Sequence, residues 1–226
     1  METWCRQAIQ FLRSNRFVLS SSDASLRPSQ LGLATTISGV SPHDAMAILP
    51  SLREANQKFI FQTGFHGVFL VTPPSTPITP PWQELERIVN ALYRDHPGVE
   101  EVAEYIGISP AQMMAFKINP PAYNCTLPKT KLYKRFYSAI ILYRLIHEQP
   151  LHYVSQLMYI ERGQTQTLQK DSSIFCSLIV IFCKRLHWNL LSGAIESLSS
   201  RLSRGVSDDV LPLARLGSEL SAIRCR

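Results

Sequence analysis

The sequence contains no CxxC pair, no HExxH, no GxSxG and no GxxxxGK[ST] loop, and its longest strongly apolar run is short. Each absence removes a class of function. The apolar run, roughly Ile174 to Cys183, is about half of the ~20 residues that cross a bilayer, and polar and basic residues crowd both its ends. No membrane partner is therefore expected. Met1 is followed by Glu2, Trp4 and Arg6 rather than by a basic region and an apolar stretch, so no secretory signal is read. With no paired spacing, Cys5, Cys125, Cys176, Cys183 and Cys225 read as reduced thiols of an intracellular protein. Cys176, Cys183 and His187 approach one flank of a helix, but the two thiols lie roughly 10 Å apart along it, too far for one tetrahedral ion. They read instead as small buried apolar groups.

A helicase motor needs a GxxxxGK[ST] loop whose backbone amides cradle phosphates and an acidic box for Mg²⁺. Neither is present, so no cofactor is assigned to this chain and nucleotide hydrolysis is not expected of it. Its histidines form no metal or acid–base motif, and no catalytic residue is assigned.

What the chain does have is a core and a positive balance. Its 226 residues are 45% hydrophobic and 18% charged, enough for one large or two small domains. The 23 Lys and Arg exceed the 17 Asp and Glu, giving a net charge of +6 that favours an anionic partner.

Trp4, Ala8, Phe11 and Leu12 repeat at helical spacing; Phe17 to Leu19, the SSSD link and Leu26 then predict a two-stranded ribbon closing at Pro28, Leu31 and Gly32. A helix plus a small wing is the tail of a winged helix. Ser41, Pro42 and Asp44 predict a helix start, and Pro50 predicts a kink or break in that helix. FHGVFLVTP, from Phe65, is either a short helix or an extended piece, and PPSTPITPPW, from Pro73, is a connection between helical packets. Leu85, Ile88, Val89 and Leu92 make one helical stripe. The stretch from Val99 to Phe116 reads as helix, turn at Gly107, cap at Ser109 and second helix, a pattern shared by helix-turn-helix regulators and by any αα-hairpin. Its second helix opens with Pro110, Ala111 and Gln112, which offer little to base edges. A long helix from about Leu132 to His147 turns Phe136, Ala139, Ile140, Tyr143 and Ile146 to a core.

Two groups of residues are candidates for contact with nucleic acid. Plotted at ~100° per residue, the stretch 163–188 puts Leu168, Phe175, Leu178, Ile179, Phe182 and Leu186 on one face. The opposite front carries Gln166, Lys170, Ser173, Ser177, Lys184 and Trp188, interrupted by Val180. The second group is the basic patch KTKLYKR, with Lys129, Lys131, Lys134 and Arg135. Both also read as ordinary solvated surface.

In order, FLRSNRFV, RPSQLGLAT, SPHDAMAIL, FHGVFLVTP, YKRFYSAIIL, ERGQTQTLQ and FCKRLHW resemble the non-motor region of the polymerase theta family of DNA repair helicases. The likeness runs from about Trp4 to Arg226, with Ser29 where the family more often has Thr in a PTxLG turn. The resemblance implies a mainly α fold: the end of a winged helix over 1–38, a helical ratchet-like bundle over 39–216 and the truncated start of a helix-hairpin-helix over 217–226. It implies a nuclear, DNA-binding accessory region of a superfamily-two ATP-dependent helicase, gripping single-stranded or forked DNA through the stretch 163–188. RecA-like motor lobes, in cis or in trans, would supply ATP and Mg²⁺ chemistry. The alternatives are a helix-turn-helix regulator and a protein-interaction scaffold that docks through the basic patch and Trp82.

Overall fold

The computed structural model describes residues 2–20, 25–58, 63–96 and 98–212. Residues 21–24 of the ribbon link, the end of the expected bundle from 213, and the expected start of a helix-hairpin-helix with Cys225 lie outside them. In chain order, α1 (Glu2–Ser14) leads into the antiparallel strands β1 (Val18–Ser20) and β2 (Leu26–Pro28), with Leu19 opposite Arg27. Then follow α2 (Gln30–Ser38), α3 (Pro42–Lys58), α4 (Gly64–Val71), α5 (Leu85–Asp95), α6 (Gly98–Tyr105) and α7 (Pro110–Ile118). The chain continues through α8 (Pro128–Ile146), α9 (Leu151–Leu157), α10 (Arg162–Arg185) and α11 (Asn189–Arg204). The protein is mainly α-helical, a bundle with one short ribbon.

Local chemistry accounts for most of these elements. The Ser41 hydroxyl accepts from the Asp44 amide at 3.0 Å, and Ser109 caps α7 through the Gln112 amide at 3.3 Å, so both expected helix starts form. Gly107, at φ 87°, makes the turn between α6 and α7 in a conformation other residues avoid. The apolar run after Thr63 forms a helix, α4, rather than an extended piece.

Three expectations need correction. Pro50 does not end α3, which runs through it. Pro50 is exposed, so the carbonyl one turn back, deprived of its amide donor, lies on the solvent side rather than in the core. The segment after Pro28 is a helix, α2, capped at its start by the Ser29 hydroxyl on the Gly32 amide at 3.0 Å and ended by Gly39 at φ 77°. Serine serves there as well as threonine would, because its hydroxyl also donates to the Arg16 carbonyl at 2.6 Å. Only glycine fits at 32, since a Cβ would stand 2.0 Å from the Phe17 carbonyl oxygen. The third correction concerns α8, which is buried on all sides from Tyr133 to Ile146 rather than along one face. It packs against α4, α9, α10 and α11 and is the axis of the core.

The proline connection from 73 to 82 is laid down on that axis. Ile78 and Trp82 are buried, and the Thr76 and Ser138 hydroxyls lie 2.9 Å apart. Trp82 stands edge-to-face with Phe116 at 4.8 Å, so the residue that a scaffold would use to dock a partner is a core residue. One continuous hydrophobic cluster runs from Phe17 to Leu202 and joins the ribbon end of the chain to the bundle.

Burial also settles thiol chemistry. Cys176 and Cys183 are inaccessible, and burial pushes each thiol up to about 12. Cys125 is lowered by the Thr130 hydroxyl and then by the Leu127 backbone, and Cys5 is exposed. A thiol reagent at pH 8 is expected to modify Cys5 and Cys125 in the native protein and the buried pair only after unfolding. Peptide mapping of the modified sites checks this. Equal native labelling of all four would contradict the burial.

Candidate nucleic-acid interface

The longest helix, α10, extends ~36 Å at the usual rise per residue. It starts with a capping box, in which the Glu161 side chain accepts from the backbone of Gln164 while the Gln164 side chain accepts from the Glu161 amide. Of the expected inner face, Leu168, Phe175, Ile179 and Phe182 are buried and Leu178 and Leu186 half-buried; Cys176 and Cys183 join them, and so does Val180, which the spacing put on the front. Two helices flank it, α11 on one side and α2 on the other.

The α11 flank is polar and tightly bonded. The Gln169 Nε2 donates to the Leu202 carbonyl at 2.7 Å and the Ser173 Oγ to the Ser199 carbonyl at 2.9 Å. The Ser177 and Ser199 hydroxyls lie 2.7 Å apart, and Lys184 pairs with Glu196 at 2.9 Å. Small serines let the two helices approach closely while satisfying one another's carbonyls. Gln166, Lys170, Ile174, Ser177, Ile181 and Lys184, all exposed, form a ridge along α10, beside which Thr167, Asp171 and Arg185 are exposed as well.

The structure distributes the ten sequence candidates unevenly. Gln166, Lys170, Ser177 and Lys184 share this ridge. Ser173 does not; it is half-buried and committed to α11. Trp188 lies beyond the end of α10, half-buried at the start of α11 and packed on the core, because the chain turns at His187 with φ 61°. Of the basic patch, Lys129 and Lys131 are exposed, whereas Lys134 and Arg135 face inward. Lys134 donates to the Tyr123 carbonyl at 2.7 Å. Arg135 donates to the carbonyls of Thr72, Phe69 and Leu70 at 2.9, 3.0 and 3.1 Å and lies 4.5 Å over the Phe69 ring. These two cations hold the fold together and are not surface charge.

Two ridge residues were not singled out from the sequence. Ile174 is 51% exposed and Ile181 39%, although both lie inside the apolar run. The signal was available, since four and eleven residues after Lys170 fall on its side of a helix. An apolar run read as a block hides it. Electrostatically the ridge is mild: Lys170 has no ion-pair partner among the described residues, Lys184 pairs with Glu196 in an exposed pair of small energy, and the exposed Asp171 and Arg185 stand beside it. Such a surface suits a ligand that offers alternating polar backbone and flat apolar groups.

The exposed side of α7 gives the regulator reading no support. It shows Ala111, Met114, Ala115 and Ile118, and Lys117 pairs with Glu86 at 3.5 Å.

Residues 42–202, the span from the start of α3 to near the end of α11, match the family model described as DNA_pol_Q helicase like region helical domain. The chain belongs to this family. It is 31% identical over 212 residues to a DNA polymerase theta of Caenorhabditis elegans, covering 92% of this chain and 13% of that protein. Against a DNA polymerase theta of Drosophila melanogaster the identity is 28% over 203 residues, 88% of this chain and 10% of that one. A human protein named Helicase POLQ-like is 25% identical over 166 residues, 72% of this chain and 14% of the relative. The chain thus spans a small part of the length of these relatives. As a polymerase theta helicase-like helical domain it is a helicase-associated unit, and the whole of α10 with its open ridge lies inside the matched region.

Proposed function

We propose that this chain is the strand-gripping region of a superfamily-two DNA repair helicase, acting in the nucleus beside RecA-like motor lobes supplied in cis or in trans. The observation that carries this reading is the open ridge of α10, held rigid between α2 and α11 and left uncovered along its length. A threaded single strand needs a long, preorganised, sequence-indifferent surface. Gln166, Lys170, Ser177 and Lys184 would meet phosphates and sugars, and Ile174 and Ile181 the flat faces of bases. Residues 1–38 would serve as the end of a winged helix.

The double variant Lys170→Ala, Lys184→Ala is expected to bind single-stranded DNA more weakly than wild type. Its salt slope should fall by about 1.4, since each phosphate contact on a single strand contributes roughly 0.7. Because Lys184→Ala also releases the Glu196 carboxylate beside the ridge, affinity should drop further than the slope alone implies. Fluorescence anisotropy with a labelled oligonucleotide across a salt series measures both. Unchanged affinity and slope would mean that the ridge faces plain solvent. A loss confined to one duplex sequence would favour a regulator, because backbone contacts carry little sequence information.

A further inference from the structure

A second surface adjoins the first end of the α10 ridge. Three clefts of 430, 320 and 360 Å³ share walls along the proline connection. The first and second have Pro74, Ser75, Thr126 and Lys131 in common, and the second and third Thr76, Pro77 and Tyr123. Together they form one trough from the start of α3, past the start of α8, to Gln164 and Thr167 on α10.

The trough is rigid. Prolines fix its wall, the Ser75 hydroxyl reaches the Asp44 carboxylate at 3.4 Å, and the Thr76–Ser138 contact ties the wall to α8. Tyr123 stands in its middle, 75% exposed, on a turn closed by the Cys125 amide donating to the Ala122 carbonyl at 2.9 Å. The inward-facing Lys134 both bonds the Tyr123 carbonyl and places its ammonium 5.4 Å from the ring centroid. An aromatic ring held in place by a cation while mostly open to solvent has no role in the core.

A cation stands beside the ring. Lys131 is exposed in the first turn of α8 and lines the first two clefts, whereas Lys129 turns away and donates to Gln112 Oε1 on α7 at 3.4 Å. That turn has no acidic residue and no side-chain cap among the described residues. Cations at that end of a helix oppose its dipole, a local cost that a bound anion removes. Of the carboxylates lining the trough, Asp44 is engaged by Ser41 and Ser75, and Glu161 by the capping box of α10. Asp171, exposed as Glu161 is, stands at the α10 end.

We propose that this trough takes a short length of single-stranded DNA continuous with the strand on α10, one base stacked on Tyr123 and an adjoining phosphate on Lys131. This rests on the α10 reading and adds to it a stacking platform, which fixes the path of the strand. Base–aromatic stacking predicts that Tyr123→Ala weakens binding of an oligo(dT) roughly 5- to 150-fold with an unchanged salt slope. Tyr123→Phe should bind as wild type, since the ring and not the hydroxyl does the stacking. Lys131→Ala should lower the slope by about 0.7. Anisotropy titrations of the full chain, with thermal unfolding midpoints to confirm equal folding, read all three. Wild-type affinity in Tyr123→Ala, alongside a loss in the Lys170 and Lys184 variant, would overturn the trough and leave α10 standing. No binding of single strands by the wild type would overturn both.

Discussion

Arg135→Ala is expected to destabilise the fold by about 3–5 kcal/mol, more than any substitution on the α10 ridge. The guanidinium is 6% exposed and donates to three carbonyls at the end of α4, where a helix leaves its last acceptors without intrahelical donors. Burial pushes its pKa down to about 10, with Asp44 acting in the other direction, so it stays charged at neutral pH. The planar fork and the negative end of the α4 dipole are what make a buried charge tolerable there. Removing the side chain leaves the Thr72 and Leu70 carbonyls buried without the donor they have now, each costing about 1–3 kcal/mol if water does not reach it, while the Phe69 carbonyl keeps the Thr72 amide at 3.2 Å. Arg135→Lys should fall between wild type and Arg135→Ala, because one ammonium cannot span the carbonyls of two helix positions and the following residue. Urea unfolding of the three proteins tests the ordering. A change below about 1 kcal/mol for Arg135→Ala would mean that solvent enters the site at no cost, and that α8 does not clamp α4 through this residue.

Phe182→Ala should also destabilise by about 3–5 kcal/mol, the range for removing a large buried aromatic. Phe182 has no exposed surface and sits on the inner face of α10 between the α2 and α11 flanks. The informative comparison is Ser177→Ala, five residues earlier on the ridge. Ser177 contacts the Ser173 carbonyl at 3.2 Å and the Ser199 hydroxyl at 2.7 Å, but it is exposed, so its loss should cost only about 0.5–1 kcal/mol. If the two substitutions cost alike, the assignment of core face and open ridge on α10 is reversed or blurred. If they differ as expected, DNA-binding variants on the ridge can be interpreted without a folding defect.

The sequence by itself determined the elements whose signals are local. Helical spacing placed the buried face of α10, hydroxyl caps placed the starts of α3 and α7, and the run of motifs pointed to the family that residues 42–202 match. The missing phosphate loop was equally a matter of sequence, because that loop is a contiguous string. α2 was missed even though Ser29 and Gly39 mark its two ends, since Gly32 and the β-branched Thr35, Thr36 and Ile37 argue locally for another structure. Tertiary structure alone decided the rest. Periodicity reports that a helix has an apolar side but not how many sides are covered, so the burial of α8 on every face depended on four other helices. Lys134 and Arg135 read as surface charge because their partners are remote in sequence: Arg135 answers carbonyls 63 to 66 residues away. A cation is worth burying only where such acceptors converge, and that convergence exists only after the chain has packed. The same holds for the α10 front: Ser173 and Trp188 left it because α11 folds back against that flank, a consequence of long-range contact that no window of residues contains.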